Sequence, residues 1–187
     1  MANLQANLRS QSALAVDDPE RLLRSVNQLF YENTTDNAYA SLIFSEYDDQ
    51  RRRLRYANCG HLPPLVLRAD GSVLRLESTC TVLGMFQEWD CAMAECRLYP
   101  GDTLALYTDG ITETLNAAGE EFGEQRLIDA LRRHRALGPR KLLGAIVDEV
   151  KNFGSGEQDD DITLIIARAP ESDGAQQQIQ FQEGKAG

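Results

Sequence analysis

Apolar residues recur at helical spacing at the start of the chain and change to strand-like alternation near residue 38. Met1, Leu4 and Leu8 share one face of a predicted helix over 1–15, with no capping residue ahead of it. Asp17-Asp18-Pro19-Glu20 signals a second helix start, an acidic cap followed by proline in the first turn. Leu22, Leu23, Val26, Leu29 and Phe30 continue that helix until the polar stretch Asn33–Asn37. Beyond Ala38 the turn chemistry predicts three hairpins. Ala38–Tyr47 and Arg53–Asn58 flank Asp48-Asp49-Gln50, and Leu65–Arg68 and Val73–Leu76 flank Ala69-Asp70-Gly71-Ser72. Cys91–Leu98 and Thr103–Tyr107 flank Pro100-Gly101-Asp102 in the same manner. The links are too short for crossovers, so antiparallel pairing is expected throughout.

Two more helices follow. Leu127, Ile128 and Leu131 mark one over Glu124–His134, and Leu142, Leu143, Ile146, Val147 and Val150 mark another over Pro139–Asn152. Gly154-Ser155-Gly156 ends the second. The apolar run Ile162–Arg168 predicts a last strand in a buried, central position. Segregated helices, hairpins, helices and strand define an α+β class. With no repeat or linker, residues 1–168 read as one domain, and 169–187, rich in Gln, Glu and Gly, as a disordered tail.

Composition narrows the function. At 187 residues and 42% hydrophobic, the chain can bury one core. Its net charge of −10 disfavours nucleic acid and membrane surfaces as partners. The basic run Arg51-Arg52-Arg53 reads as a solvated hairpin end. The four cysteines (Cys59, Cys80, Cys91, Cys96) form no C-x-x-C pair, and only His61 and His134 could join them. They read as reduced, small apolar residues, not as a zinc site. Neither a signal peptide nor an apolar stretch of about 20 residues is visible, so a cytoplasmic location is expected.

Three features could carry chemistry. Asp109 follows the apolar strand Leu104-Ala105-Leu106-Tyr107 and precedes Gly110, which would let the chain turn sharply and a ligand approach. A plain Asp-Gly turn and a rigidly held cation ligand both fit. Asp159-Asp160-Asp161 precedes Ile162-Thr163-Leu164, and three adjacent carboxylates lie in water or are neutralised by a cation. Such clusters on two strand ends could converge on a hard ion such as Mg²⁺ or Mn²⁺. His61, in Ala57-Asn58-Cys59-Gly60-His61-Leu62-Pro63-Pro64, sits in a stiff loop, either bonded to backbone or contacting a phosphate.

Taken in order, these segments resemble the SpoIIE/RsbU-like bacterial branch of the PPM (protein phosphatase 2C-like) metal-dependent serine/threonine phosphatases. The matching pieces are Tyr56-Ala57-Asn58-Cys59-Gly60-His61, Leu83-Gly84-Met85, Pro100-Gly101-Asp102, Leu106-Tyr107-Thr108-Asp109-Gly110-Ile111-Thr112-Glu113, Gly119-Glu120-Glu121-Phe122-Gly123 and Asp160-Asp161-Ile162-Thr163. The resemblance implies a four-layer α-β-β-α sandwich of two antiparallel sheets. It implies two metal ions, Mn²⁺ or Mg²⁺, and a water they acidify that attacks phosphorus in line. By motif match, Asp109 and Asp160 are the metal ligands and catalytic residues, and Asp161 takes the neighbouring place. Gly110, His61 and Asn58 are candidates for supporting the site or the substrate loop. His61 stands where many eukaryotic relatives carry an aspartate of a third metal site, and it is not expected to be a ligand. The implied partner is a phosphorylated regulatory protein resembling an anti-sigma-factor antagonist.

One departure stands out. Members of the family begin with two strands that carry further metal-binding aspartates, and Met1-Ala2-Asn3-Leu4-Gln5 resembles the middle of the helix that follows them. The chain is therefore expected to lack the first strands, to hold its metals incompletely and to show little phosphatase activity alone. A catalytically incomplete module that only binds its partner is the alternative reading.

Overall fold

Proline at position 19 lacks the N–H that a first helical turn cannot satisfy, and Asp18 accepts from the Arg21 amide at 2.9 Å. Helix α1 (Pro19–Asn33) starts there, as its sequence predicts. The computed structural model describes Leu8 and residues 18–34, 38–155 and 162–170. The predicted helix over 1–15 lies outside the described residues except for Leu8, which is helical, and so does most of the predicted tail. The described chain falls into two compact units, Met1–Pro64 with Arg75–Arg97, and Leu65–Leu74 with Leu98–Gly187.

The first unit holds α1 and a three-stranded antiparallel sheet. Its strands are β1 (Leu42–Asp48), β2 (Arg53–Cys59) and, further along the chain, β5 (Ala94–Arg97), in the order β1-β2-β5. The first predicted hairpin forms in register, with Asp48 opposite Arg53 and Leu42 opposite Cys59. The Arg51–Arg53 run is held by acids of the same unit: Arg51 pairs with Asp48 at 2.7 Å and Arg53 with Glu95 at 3.2 Å. The buried face of α1 (Leu22, Leu23, Val26, Phe30) packs with Ala57, Cys59, Leu83, Trp89 and Cys91. Each large apolar side chain buried there contributes about 1.5–3 kcal/mol.

Gly84 shows how tight that packing is. Its φ is 82°, and a Cβ on it would stand 2.6 Å from the Phe30 ring. Its amide donates to the buried Asn27 side chain at 2.8 Å, while Asn27 Nδ2 donates to the Phe86 carbonyl at 3.0 Å. A helix residue thereby fixes the Leu83-Gly84-Met85 turn.

The second unit holds β3 (Leu65–Leu67), β4 (Val73–Arg75), β6 (Thr103–Tyr107) and β7 (Leu164–Arg168), in the order β4-β3-β6-β7. Helices α2 (Asp109–Thr112), α3 (Gly123–Arg133) and α4 (Pro139–Phe153) belong to it, and α4 packs on β7 and α3. The second predicted hairpin forms around Gly71, whose φ is 87°.

Two expectations are corrected. The third hairpin does not exist: β5 pairs with β2 in one sheet, and β6 pairs with β3 and β7 in the other. Pro100-Gly101-Asp102 is a corner between sheets. The buried Asp102 carboxylate accepts from the Tyr99 amide at 2.7 Å and pairs with Arg68 on the loop after β3, which ties the corner to β6's own sheet. Glu95 of β5 reaches Arg53 and Arg55 on β2 instead. Nor is the last strand buried and central. β7 ends the strand order, alternates half-buried with exposed positions and leaves Ile165 54% exposed. The apolar run hides a period of two, because Thr163, Ile165 and Ala167 share the outward face.

Candidate functional site

Strand β6 runs through the second unit with Thr103, Leu104, Ala105 and Tyr107 buried. Its exit is fixed from two sides. The Thr108 amide donates to the Thr163 carbonyl at 3.1 Å, and the Thr163 amide donates to the Thr108 hydroxyl at 3.0 Å. On the other side Ile111, fully buried, anchors the single turn of α2, and its amide donates back to the Thr108 carbonyl at 3.1 Å. The Tyr107 hydroxyl donates to Glu124 of α3 at 3.0 Å.

Asp109 is therefore the first residue of α2 on a rigid strand end, and it is exposed. Its Oδ1 accepts from the Gly110 amide at 3.0 Å. Among the described residues its carboxylate has no ion-pair partner, so charge-seeking oxygens remain toward solvent. Gly110 is buried and helical, and the sharp turn expected after Asp109 is the single helical turn of α2. Its carbonyl accepts from the Thr114 hydroxyl at 2.7 Å. Thr114 in turn accepts from the Phe122 amide, closing the loop of the Gly119–Gly123 motif.

Asp160 and Asp161 lie outside the described residues. In sequence, Asp160 is three residues before Thr163, the residue bonded to Thr108.

The other loop candidates belong to the first unit. Asn58 is fully buried, and its side chain is committed on both sides. Nδ2 donates to the Leu76 carbonyl at 3.0 Å, and Oδ1 accepts from the His61 amide at 2.8 Å. Gly60, at φ 67°, would place a Cβ 2.5 Å from Val82, so only glycine fits beneath the loop. His61 is half-buried, with Nδ1 3.0 Å from the Leu62 carbonyl. The structure thus groups Asn58 with His61, and Asp109 with Gly110.

Two features escaped the sequence reading. Asp102 lies in a quoted motif, yet its buried pairing with Arg68 could be seen only once β3 and β6 were neighbours. Cys59, Cys80 and Cys91 converge in the first unit, with all three sulfurs within 4.8 Å of one another. Their spacing of 21 and 11 residues carries no such signal. Among the described residues no helix is long and apolar enough to cross a membrane.

Solved structures of PPM phosphatases share this fold. The SiaA-PP2C domain of Pseudomonas aeruginosa superimposes with a TM-score of 0.77 at 26% identity, covering 89% of this chain and 68% of that one. Residues 1–170 match the family model described as Stage II sporulation protein E (SpoIIE), and the chain belongs to that family. It is 34% identical over 128 residues to protein IcfG of Synechocystis sp., covering 68% of this chain and 20% of IcfG. It is 27% identical over 153 residues to phosphoserine phosphatase RsbU of Bacillus subtilis, covering 80% of this chain and 45% of RsbU. The chain thus spans less than half the length of these two relatives.

Proposed function

We propose that this chain carries the phosphatase chemistry of a SpoIIE/RsbU-type protein: divalent-metal-dependent hydrolysis of phosphoserine or phosphothreonine on a regulatory protein. The observation that carries the reading is the β6 exit. Asp109 presents an exposed carboxylate, without an ion-pair partner among the described residues, from a rigid strand end, and Thr108 beside it is bonded to Thr163, three residues after Asp160. Hard carboxylate oxygens suit Mn²⁺ or Mg²⁺. When bound, such ions acidify a water and offset the charge of the phosphoryl group.

The chain's own residues do the positioning. Asp109, at the end of β6, and Asp160 would hold the ions, and Asp161 would support Asp160. Gly110, with no side chain, keeps the approach to Asp109 open. Thr108 holds the two strand ends at a constant separation. Asn58 shapes the loop that offers His61. The relative named phosphoserine phosphatase RsbU supports the reaction class. A phosphorylated anti-sigma-factor antagonist-like protein is the partner class this reading takes.

Hydrolysis of a phosphoserine peptide across a Mn²⁺ titration, with Asp109→Asn alongside, tests the proposal. Metal-dependent turnover that is lost in the variant would support the proposal and overturn the sequence expectation of little activity for this chain alone. Metal-independent turnover, or turnover unchanged in Asp109→Asn, would overturn the proposal. Capture of the phosphopeptide with no turnover would favour a partner-binding module instead.

A further inference from the structure

Three thiols from separate stretches of sequence meet in the first unit. Cys59 ends β2, Cys80 lies in the segment after Leu76, and Cys91 precedes β5. Cys59 is fully buried, Cys91 is 5% exposed, and Cys80 is half-buried at the mouth. The Cys59 and Cys80 sulfurs are 3.5 Å apart.

Bonds that do not involve sulfur fix this convergence. The Asn58 carbonyl accepts from the Thr79 amide at 2.9 Å and the Cys80 amide at 3.2 Å. Trp89, two residues before Cys91, donates from Nε1 to the Thr81 carbonyl at 3.1 Å. Backbone and ring hydrogen bonds thus help to bring the three sulfurs together. A preorganised donor set of this kind avoids much of the ordering cost of binding.

We propose that Cys59, Cys80 and Cys91 form a three-thiolate site for one soft divalent ion of the zinc type. Bonds from zinc to sulfur of about 2.3 Å in a tetrahedral arrangement put sulfurs about 3.8 Å apart. The observed separations, 3.5 Å for one pair and none above 4.8 Å, bracket that value. Thiolates select soft ions over Mg²⁺ or Ca²⁺. Charge decides among the soft ions. Three thiolates with a divalent ion leave one negative charge, whereas a monovalent ion leaves two, and a second buried charge is costly. The half-buried side at Cys80 opens the fourth position to water. Binding releases the remaining thiol protons to solvent, and no redox step is involved.

The site is independent of the carboxylates at the β6 exit. Its ligands are sulfur, and its test reads sulfur.

The experiment is a Co²⁺ titration of the reduced, metal-stripped full chain, followed by optical spectroscopy. A sulfur-to-cobalt charge-transfer band with tetrahedral visible bands is expected, bleached by one equivalent of Zn²⁺. Carboxylate-bound cobalt gives no such band, so Co²⁺ at Asp109 cannot imitate the result. Cys80→Ser changes the least buried of the three and should weaken cobalt binding by at least about 10-fold. Cys96→Ser, outside the cluster, should leave it unchanged, and circular dichroism checks that both variants fold. No charge-transfer band in the reduced protein would overturn the proposal. So would a band undiminished in Cys80→Ser, or isolation of a Cys59–Cys80 disulfide in the presence of equimolar Zn²⁺.

Discussion

Two strand exits use the same short vocabulary to opposite ends. At the end of β2, Asn58-Cys59-Gly60-His61 carries a buried amide side chain whose donor and acceptor are both taken up by the protein's own backbone. At the end of β6, Thr108-Asp109-Gly110-Ile111 carries an exposed carboxylate that accepts, among the described residues, from the next amide. Each exit sets an acid or its amide within two residues of a glycine at the end of a strand. What separates them is where the hydrogen bonds go. A polar group saturated internally holds the fold, whereas one left open at a rigid position can hold a ligand.

The sharpest test of that contrast is Asp109→Asn. The variant keeps the acceptor oxygen used by Gly110 and removes the charge. Phosphopeptide hydrolysis should fall by more than about 100-fold, because a lost metal ligand costs more than a supporting residue does. Its urea midpoint should stay within about 0.5 kcal/mol of the parent's, as expected for an exposed side chain. A large stability loss would break the comparison.

Asn58→Ala should do the reverse. It strips a buried carbonyl and the His61 amide of their partner and should cost about 2–3 kcal/mol in urea unfolding. Thr108→Val is intermediate. It removes one acceptor between the two strand ends, should cost about 1 kcal/mol, and should raise the Mn²⁺ concentration needed for half-maximal turnover.

The smallest effect is expected on α4. Glu149 on α4 pairs with Arg133 at 2.6 Å, and that bond chiefly holds its carboxyl below the ordinary value of 4.5. A depressed carboxyl contributes stability above its unfolded value and loses it as pH falls through the folded one. Glu149→Gln should therefore lower stability slightly at neutral pH and flatten its decline below pH 4.5. Thermal unfolding from pH 3 to 7 reads both.

What the sequence made legible was local. Asp18 and Pro19 announce α1 because a cap and its proline act within one turn. Gly71 announces a hairpin because a left-handed residue is needed at that spot. Asp109 was visible as a strand-end carboxylate for the same reason. The misreadings concern partners distant in sequence. Gly101 does mark a turn, at φ 83°, but no local signal says that β5 and β6 belong to different sheets. Asp102 looked like turn chemistry until its partner Arg68, 34 residues earlier, came into contact. The cysteine cluster depends on three separate chain reversals, and spacing alone could not foresee it.

The pairing of β6 with β7 also sets an order of assembly. The first unit has all its strands once residue 97 has been made, and β1 and β2 are joined by a four-residue turn. Strand β6 can pair with β3 as soon as it is made, but its other edge must wait until Leu164 is available opposite Tyr107, 57 residues later in synthesis. Closing a loop of that length precedes any gain from the contacts it brings, which slows such pairings relative to a hairpin. During translation the Thr108–Thr163 clamp is thus among the last connections made. The carboxylate beside it acquires its rigid seat only after Thr163, made 54 residues later than Asp109, has left the ribosome.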